Sequence, residues 1–197
     1  IVAKLTGKIA EATEPKFAHV KCRGGNGIAK LAYEYKGVHD CAAAKIIQQG
    51  PKFCKFGCLG FGNCTRSCPF GAMHMGEDGL PVIDKRLCTG CGKCASICPN
   101  HVIELLPISA KVAISCSSKD FGAAAMKNCK AMCIGCGSCM RNCSHQEEGA
   151  IKIVDHLAVV NQAVCHNCDN ATCMTKCPTG AINEMIKGSF KKEEKVG

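Results

Sequence analysis

Cysteine spacing constrains this chain more than any other feature. Of 197 residues, 20 are Cys, and most fall into four sets. Cys54, Cys58, Cys64 and Cys68 make the first, and Cys88, Cys91, Cys94 and Cys98 the second. Cys129, Cys133, Cys136, Cys139 and Cys143 make the third, and Cys165, Cys168, Cys173 and Cys177 the fourth. The second half repeats the first: Cys64 and Cys68 recur 75 residues on as Cys139 and Cys143, Cys88 and Cys91 recur 77 on, and Cys94 and Cys98 recur 79 on. A duplicated unit of about 50 residues accounts for this. Trp is absent and aromatics are 5% of the chain, so the apolar core is thin. Disulfides, zinc or iron–sulfur clusters must supply what the core lacks.

The spacing chooses among them. Cys88-x2-Cys91-x2-Cys94-x3-Cys98-Pro99 is the bacterial ferredoxin run, in which three close thiolates wrap one 4Fe–4S cube and the fourth Cys ligates the other cluster. Crossed in this way, one cluster takes Cys88, Cys91, Cys94 and Cys68. The other takes Cys58, Cys64 and Cys98, and lacks a central Cys because Phe61 stands there. Cys54 is the expected replacement. In the second half one cluster takes Cys165, Cys168, Cys173 and Cys143. The other takes Cys133, Cys136, Cys139 and Cys177; the standard spacing selects Cys136, while alignment with the first half offers Cys129 in its place. Two positions depart from the pattern: Cys168-x4-Cys173 is long, and Ser144 replaces the Pro after Cys143.

Competing readings are weaker. Zinc ribbons pair CxxC motifs but seldom add a third Cys at the same interval. Disulfide frameworks need an oxidising compartment and do not favour two-residue gaps. Gly24-Gly25-Asn26-Gly27 lacks the rest of a phosphate loop and reads as a tight turn. Cys22, Cys41 and Cys116 read as reduced structural thiols. His166, between two ligands, reads as solvent-facing. No catalytic Ser/His/Asp set or carboxylate pair stands out.

Hairpin signals separate the sets, at 72–84 about Gly76-Glu77-Asp78-Gly79 and at 150–161 about Asp155-His156. Short helices are expected after Cys64, Cys94, Cys139 and Cys173. Each unit follows a strand ending in Cys, Phe17 to Cys22 and Lys111 to Cys116, and a small-residue helix, over 40–48 and 121–128. The fold class is therefore α+β: two tandem bacterial-type two-cluster ferredoxin units with added strand–helix segments. The expected divisions are residues 1–50 leading into the first unit, 51–107 as that unit, 108–128 as connector, 129–186 as the second unit, and 187–197 as a flexible tail.

The formal charge is +9, but sixteen bound thiolates and four oxidised 4Fe–4S cores bring it to about +1. The charge is thus no sign of a nucleic-acid partner. No run approaches the roughly 18 apolar residues of a membrane span, and no signal peptide opens the chain.

Several stretches carry a more specific likeness. Cys22-Arg23-Gly24-Gly25, Tyr33-Glu34-Tyr35-Lys36-Gly37, Asp40-Cys41, Gly57-Cys58-Leu59-Gly60-Phe61-Gly62-Asn63-Cys64, Cys68-Pro69-Phe70 and Cys133-Ile134-Gly135-Cys136-Gly137-Ser138-Cys139 resemble the polyferredoxin (B) component of the Rnf membrane complex. The likeness runs from about Phe17 to Ile182. It implies an electron-relay subunit of an ion-translocating ferredoxin:NAD oxidoreductase at the cytoplasmic face of the cell membrane. It implies reduced ferredoxin (or flavodoxin) as donor, other complex subunits as partners, and a membrane helix and further Fe–S domain preceding a C-terminal part such as this. The long Cys168-x4-Cys173 loop and Ser144 also resemble electron-transfer subunits of molybdoenzymes, and a hydrogenase-type or molybdoenzyme-type relay is the alternative; a zinc-stabilised interaction module is the alternative of another class. Lys52, Lys55, Arg66, Lys85, Arg86 and Lys93 lie near the expected cluster loops and are expected to steer an acidic ferredoxin.

Overall fold

The computed structural model describes residues 14–122, 126–165, 168 and 171–185. The helix expected over 121–128 falls partly outside these residues, and His166 and the tail over 187–197 fall wholly outside them.

Among the described residues the strands form four two-stranded antiparallel sheets. In the first half, β1 (Lys16–Val20) pairs with β4 (Ile103–Pro107), and β2 (Met73–Met75) pairs with β3 (Pro81–Ile83). In the second half, β5 (Val112–Ile114) pairs with β8 (Ile182–Glu184), and β6 (Ile151–Val154) pairs with β7 (Leu157–Val160). The hairpins form where the patterns predict them. Asp155 and His156 join β6 to β7 with both φ positive, 47° and 63°, which is the two-residue turn that matches strand twist.

Strand β1 does not stand outside the first cysteine unit as an addition. Its register runs Lys16 to Pro107 through Val20 to Ile103, so it closes the unit whose cysteines lie between. Strand β5 does the same with β8. The closing strands β4 and β8 carry no turn signals of their own and are legible only through their partners.

The helices are short. Helix α1 is Cys41–Ile46, α2 Asn63–Arg66, α3 Lys93–Ser96, α4 Ser138–Arg141, α5 Gln162–Cys165 and α6 Thr172–Thr175. Four of them are single turns that place a buried Cys (Cys64, Cys94, Cys139 or Cys173) on the inner side. Gly92 and Gly137 enter α3 and α4 with φ of 79° and 70°, a bend that a β-carbon would strain. Helix α5, which hydrophobic periodicity does not mark, ends on Cys165.

The core is divided. One group of apolar side chains surrounds the second half's cysteines, and another surrounds the first half's. A third, Phe17 and Leu106 with Ala110, Ala113 and Met185, joins sheet β1–β4 to sheet β5–β8. Polar contacts reinforce that seam. Ser117 Oγ donates to the Lys21 carbonyl at 2.9 Å, and Lys30 N to the Asn128 carbonyl at 2.8 Å.

Candidate metal centres

Thiols converge at several places. Cys68, Cys88, Cys91 and Cys94 line one cavity beside Pro69 and Phe70. Cys68, from the first set, thus shares a cavity with three thiols of the second. The Ala18 N–H donates to Cys88 Sγ at 3.4 Å. Cys91 is exposed and marks the edge of this centre nearest solvent.

The second cavity differs from expectation at one residue. It is lined by Cys58, Cys64 and Cys98 together with Cys41, and Cys54 is absent from it. Phe61 explains why. In the position a central Cys would take, its ring packs against Tyr35 at 5.0 Å and His39 at 5.5 Å between centroids, so the segment leading to α1 covers this side. Asp40 caps α1 by accepting from Ala43 N at 2.9 Å. Asn63, next to Cys64, donates to Asp40 Oδ2 at 2.6 Å and accepts from Cys41 N at 3.0 Å. One amide thus fixes Cys41 beside Cys64. The thiols of Cys41 and Cys98 both press on that of Cys64, which burial above all pushes up to about 11.

In the second half, Cys139 is pushed up to about 11, chiefly by burial and next by the Cys133 thiol, with Cys177 and Cys136 also close enough to contribute. Cys136 lies near Cys139, and Cys129 lines a different cavity. Cys173 is pushed up to about 12 by burial and then by Cys143, Cys165 and Cys168. Ser144, at the position where the ferredoxin pattern has Pro, puts its hydroxyl 3.6 Å from Cys168 Sγ. Cys177 runs the other way. Burial raises it, but the N–H groups of Ile182, Thr179 and Ala181 and the Thr179 hydroxyl overcome that and lower it.

Two further expectations change. Cys54 sits with Cys22, Cys116 and Cys129 around a separate cavity, so neither Cys22 nor Cys116 is an isolated structural thiol. Lys52 is buried at 9% exposure and donates to the carbonyls of Gly24 and Cys58 at 2.7 and 2.8 Å. It is therefore withdrawn from any docking face. Lys55, Arg66, Arg86 and Lys93 remain exposed.

These donor sets suit iron–sulfur clusters. Groups of four thiols meet with backbone N–H donors aimed at sulfur, the surroundings that hold and tune such clusters. Among the described residues, no group of three or more His, Cys, Asp or Glu side chains is placed to hold a single metal ion. A four-thiolate zinc site would draw its sulfurs to roughly 3.8 Å of one another.

Comparison with known proteins agrees with this chemistry. The 4Fe-4S dicluster domain family matches residues 57–103, a stretch that holds seven of the eight first-half thiols described above and omits Cys41. The B component of the proton-translocating ferredoxin:NAD(+) oxidoreductase complex of Clostridium ljungdahlii is 52% identical over 188 residues, 95% of this chain and 65% of that protein. The B component of the ion-translocating oxidoreductase complex of Methanosarcina acetivorans is 40% identical over 182 residues, 92% of this chain and 67% of that protein. The chain belongs to the family of Rnf B components. Within that family, the B component of the Na(+)-translocating ferredoxin:NAD(+) oxidoreductase complex of Acetobacterium woodii is 38% identical over 182 residues, 92% of this chain and 53% of that protein. The chain thus spans between about half and two thirds of the length of these Rnf relatives. It is an iron–sulfur protein of ferredoxin type with mixed helix and strand. No helix among the described residues is long and apolar enough to cross a membrane.

Proposed function

We propose that this chain is the iron–sulfur relay of an ion-translocating ferredoxin:NAD oxidoreductase complex, at the cytoplasmic face of the membrane. It is built as two ferredoxin units, residues 16–107 and 112–184, each holding two 4Fe–4S clusters. Cys68, Cys88, Cys91 and Cys94 hold one, and Cys41, Cys58, Cys64 and Cys98 the next. Cys133, Cys136, Cys139 and Cys177 hold the third, and Cys143, Cys165, Cys168 and Cys173 the fourth. Such clusters take up and give back single electrons, and their potentials respond to burial and to hydrogen bonds at sulfur. The protein's own part is to bury the thiols, aim N–H groups at them and exclude water. The observation that carries the reading is the 52% identity over 95% of the chain, together with thiols converging in fours.

Reduced ferredoxin or flavodoxin is the proposed donor, received where Cys91 reaches the surface. Phe70 and Leu87 are exposed at 47% and 51%, and with Lys93 they give that region an apolar patch with a basic rim, the Arg86 charge being taken up by Asp84. A rim of this kind accelerates encounter with an acidic partner more than it tightens the complex. Stopped-flow reduction by reduced ferredoxin should slow as salt rises, because surface charge is screened over roughly 8 Å at physiological ionic strength. Charge reversal at Lys93 should slow it further at low salt, by about tenfold or less. Rates indifferent to both would reject ferredoxin docking at this face.

A further inference from the structure

Four cysteines remain outside the four ferredoxin-type sets, and the structure brings them together. Cys22, Cys54, Cys116 and Cys129 line one cavity in the seam between the halves. The Cys41 and Cys91 sets line cavities in the same way.

Duplication explains the set. Cys22 stands two residues beyond β1 and Cys116 two beyond β5. Cys54 precedes Cys58 by four residues, and Cys129 precedes Cys133 by four. Each half therefore contributes the same two positions, and neither half alone completes the set. The backbones meet there as well: Ala29 and Cys129 form an antiparallel bridge across the seam.

Each thiol also accepts a backbone N–H from two residues further on: Gly24 for Cys22, Phe56 for Cys54, Ser118 for Cys116 and Ala131 for Cys129. The flanking centres tie in symmetrically. Cys58 N donates to Cys22 Sγ at 3.3 Å, and the N–H of Cys133, the matching residue of the second half, reaches Cys116. Gly24 has no side chain to fill the space. A β-carbon there would stand 3.4 Å from Cys129 Sγ and 3.6 Å from Cys22 Sγ.

Lys52 supplies the charge. Among the described residues its buried ammonium has two carbonyls and no carboxylate partner, and it lies near enough to Cys58 and Cys129 to favour their thiolates. A buried cation needs an opposing charge, and a tetrathiolate cluster carries a net negative one.

We propose that Cys22, Cys54, Cys116 and Cys129 bind a fifth 4Fe–4S cluster, shared between the two halves and seated between the Cys58 and Cys133 centres. The proposal rests on the iron–sulfur reading of the other sites, and the test separates the two. Native mass spectrometry of the anaerobically purified holoprotein should count five four-iron, four-sulfide units. Iron and acid-labile sulfide should each be about twenty per chain. The double variant Cys22→Ser with Cys116→Ser should lose one unit, to about sixteen iron, with the other four retained. A wild-type count of four units overturns the fifth site, whether or not the double variant folds, and so does one zinc atom beside sixteen iron. Absence of sulfide altogether would instead remove the reading on which the proposal rests.

Discussion

At the scale of the residue, His19 offers a clean pH test. It is buried at 8% exposure, with Nε2 3.4 Å from the Ile114 carbonyl and 3.5 Å from Ser115 Oγ across the seam. Burial lowers its pKa from 6.5 to about 4; the Ile114 carbonyl opposes that shift, and Lys85 and Lys21 add to it. The unfolded chain therefore takes up a proton below pH 6.5 that the folded chain refuses until about pH 4. The stability His19 contributes is complete above pH 6.5 and is lost as pH falls through that window. From pH 7 to pH 5 the loss is about 2 kcal/mol. The thermal midpoint of the holoprotein should fall further over that range than that of His19→Gln, and parallel falls would contradict the assignment. The cysteines permit a second test. If Cys68 and Cys91 hold one cluster, Cys68→Ser, Cys91→Ser and the double variant should each lose the same iron, about four atoms per chain. Additive losses would place Cys68 elsewhere.

At the scale of the element, the first half depends on how α1 is anchored. Asn63 ties Cys41 and Asp40 to the loop bearing Cys64, so Asn63→Ala should loosen the Cys41 centre specifically. Asp40→Ala should remove the helix cap and lower the thermal midpoint. Iron release to a chelator should accelerate in Asn63→Ala and be restored toward wild type when Asn63→Asp is combined with Asp40→Asn, which exchanges amide and carboxylate and keeps both contacts. Equal release rates in all three would show that the amide does not hold the ligand. The sequence carried a signal for Cys41 that simple spacing obscured. Cys54 has a counterpart in Cys129, in a half where Cys136 is present, so the Cys54 position is not one that only the first half needs. Nine repeat-related pairs take up eighteen of the twenty cysteines, and Cys41 and Cys136 are the two left to match each other. The hairpins were legible because alternation and turn residues mark them locally. The pairing of β1 with β4 was not, because it joins segments more than 80 residues apart and depends on the folded arrangement of everything between. The burial of Lys52 was hidden for the same reason: its partners are carbonyls, which sequence does not announce.

At the scale of the whole molecule, the halves share a seam but little apolar mass. Phe17, Ile151, Val102 and Val112 are the largest side chains buried almost completely, a small core for the chain. Ligand binding must then supply much of the folding free energy. Chelation under anaerobic reducing conditions should abolish cooperative thermal unfolding, and adding iron and sulfide should restore it. A cluster-free chain that still unfolds cooperatively at the holoprotein's midpoint would show that the polypeptide suffices. The central claim, that these thiols hold iron–sulfur clusters rather than zinc or nothing, is tested most directly by metal and acid-labile sulfide analysis of the anaerobically purified chain. The account predicts at least about sixteen iron atoms per chain with sulfide in equal amount. Zinc in place of iron, with no labile sulfide, would contradict it.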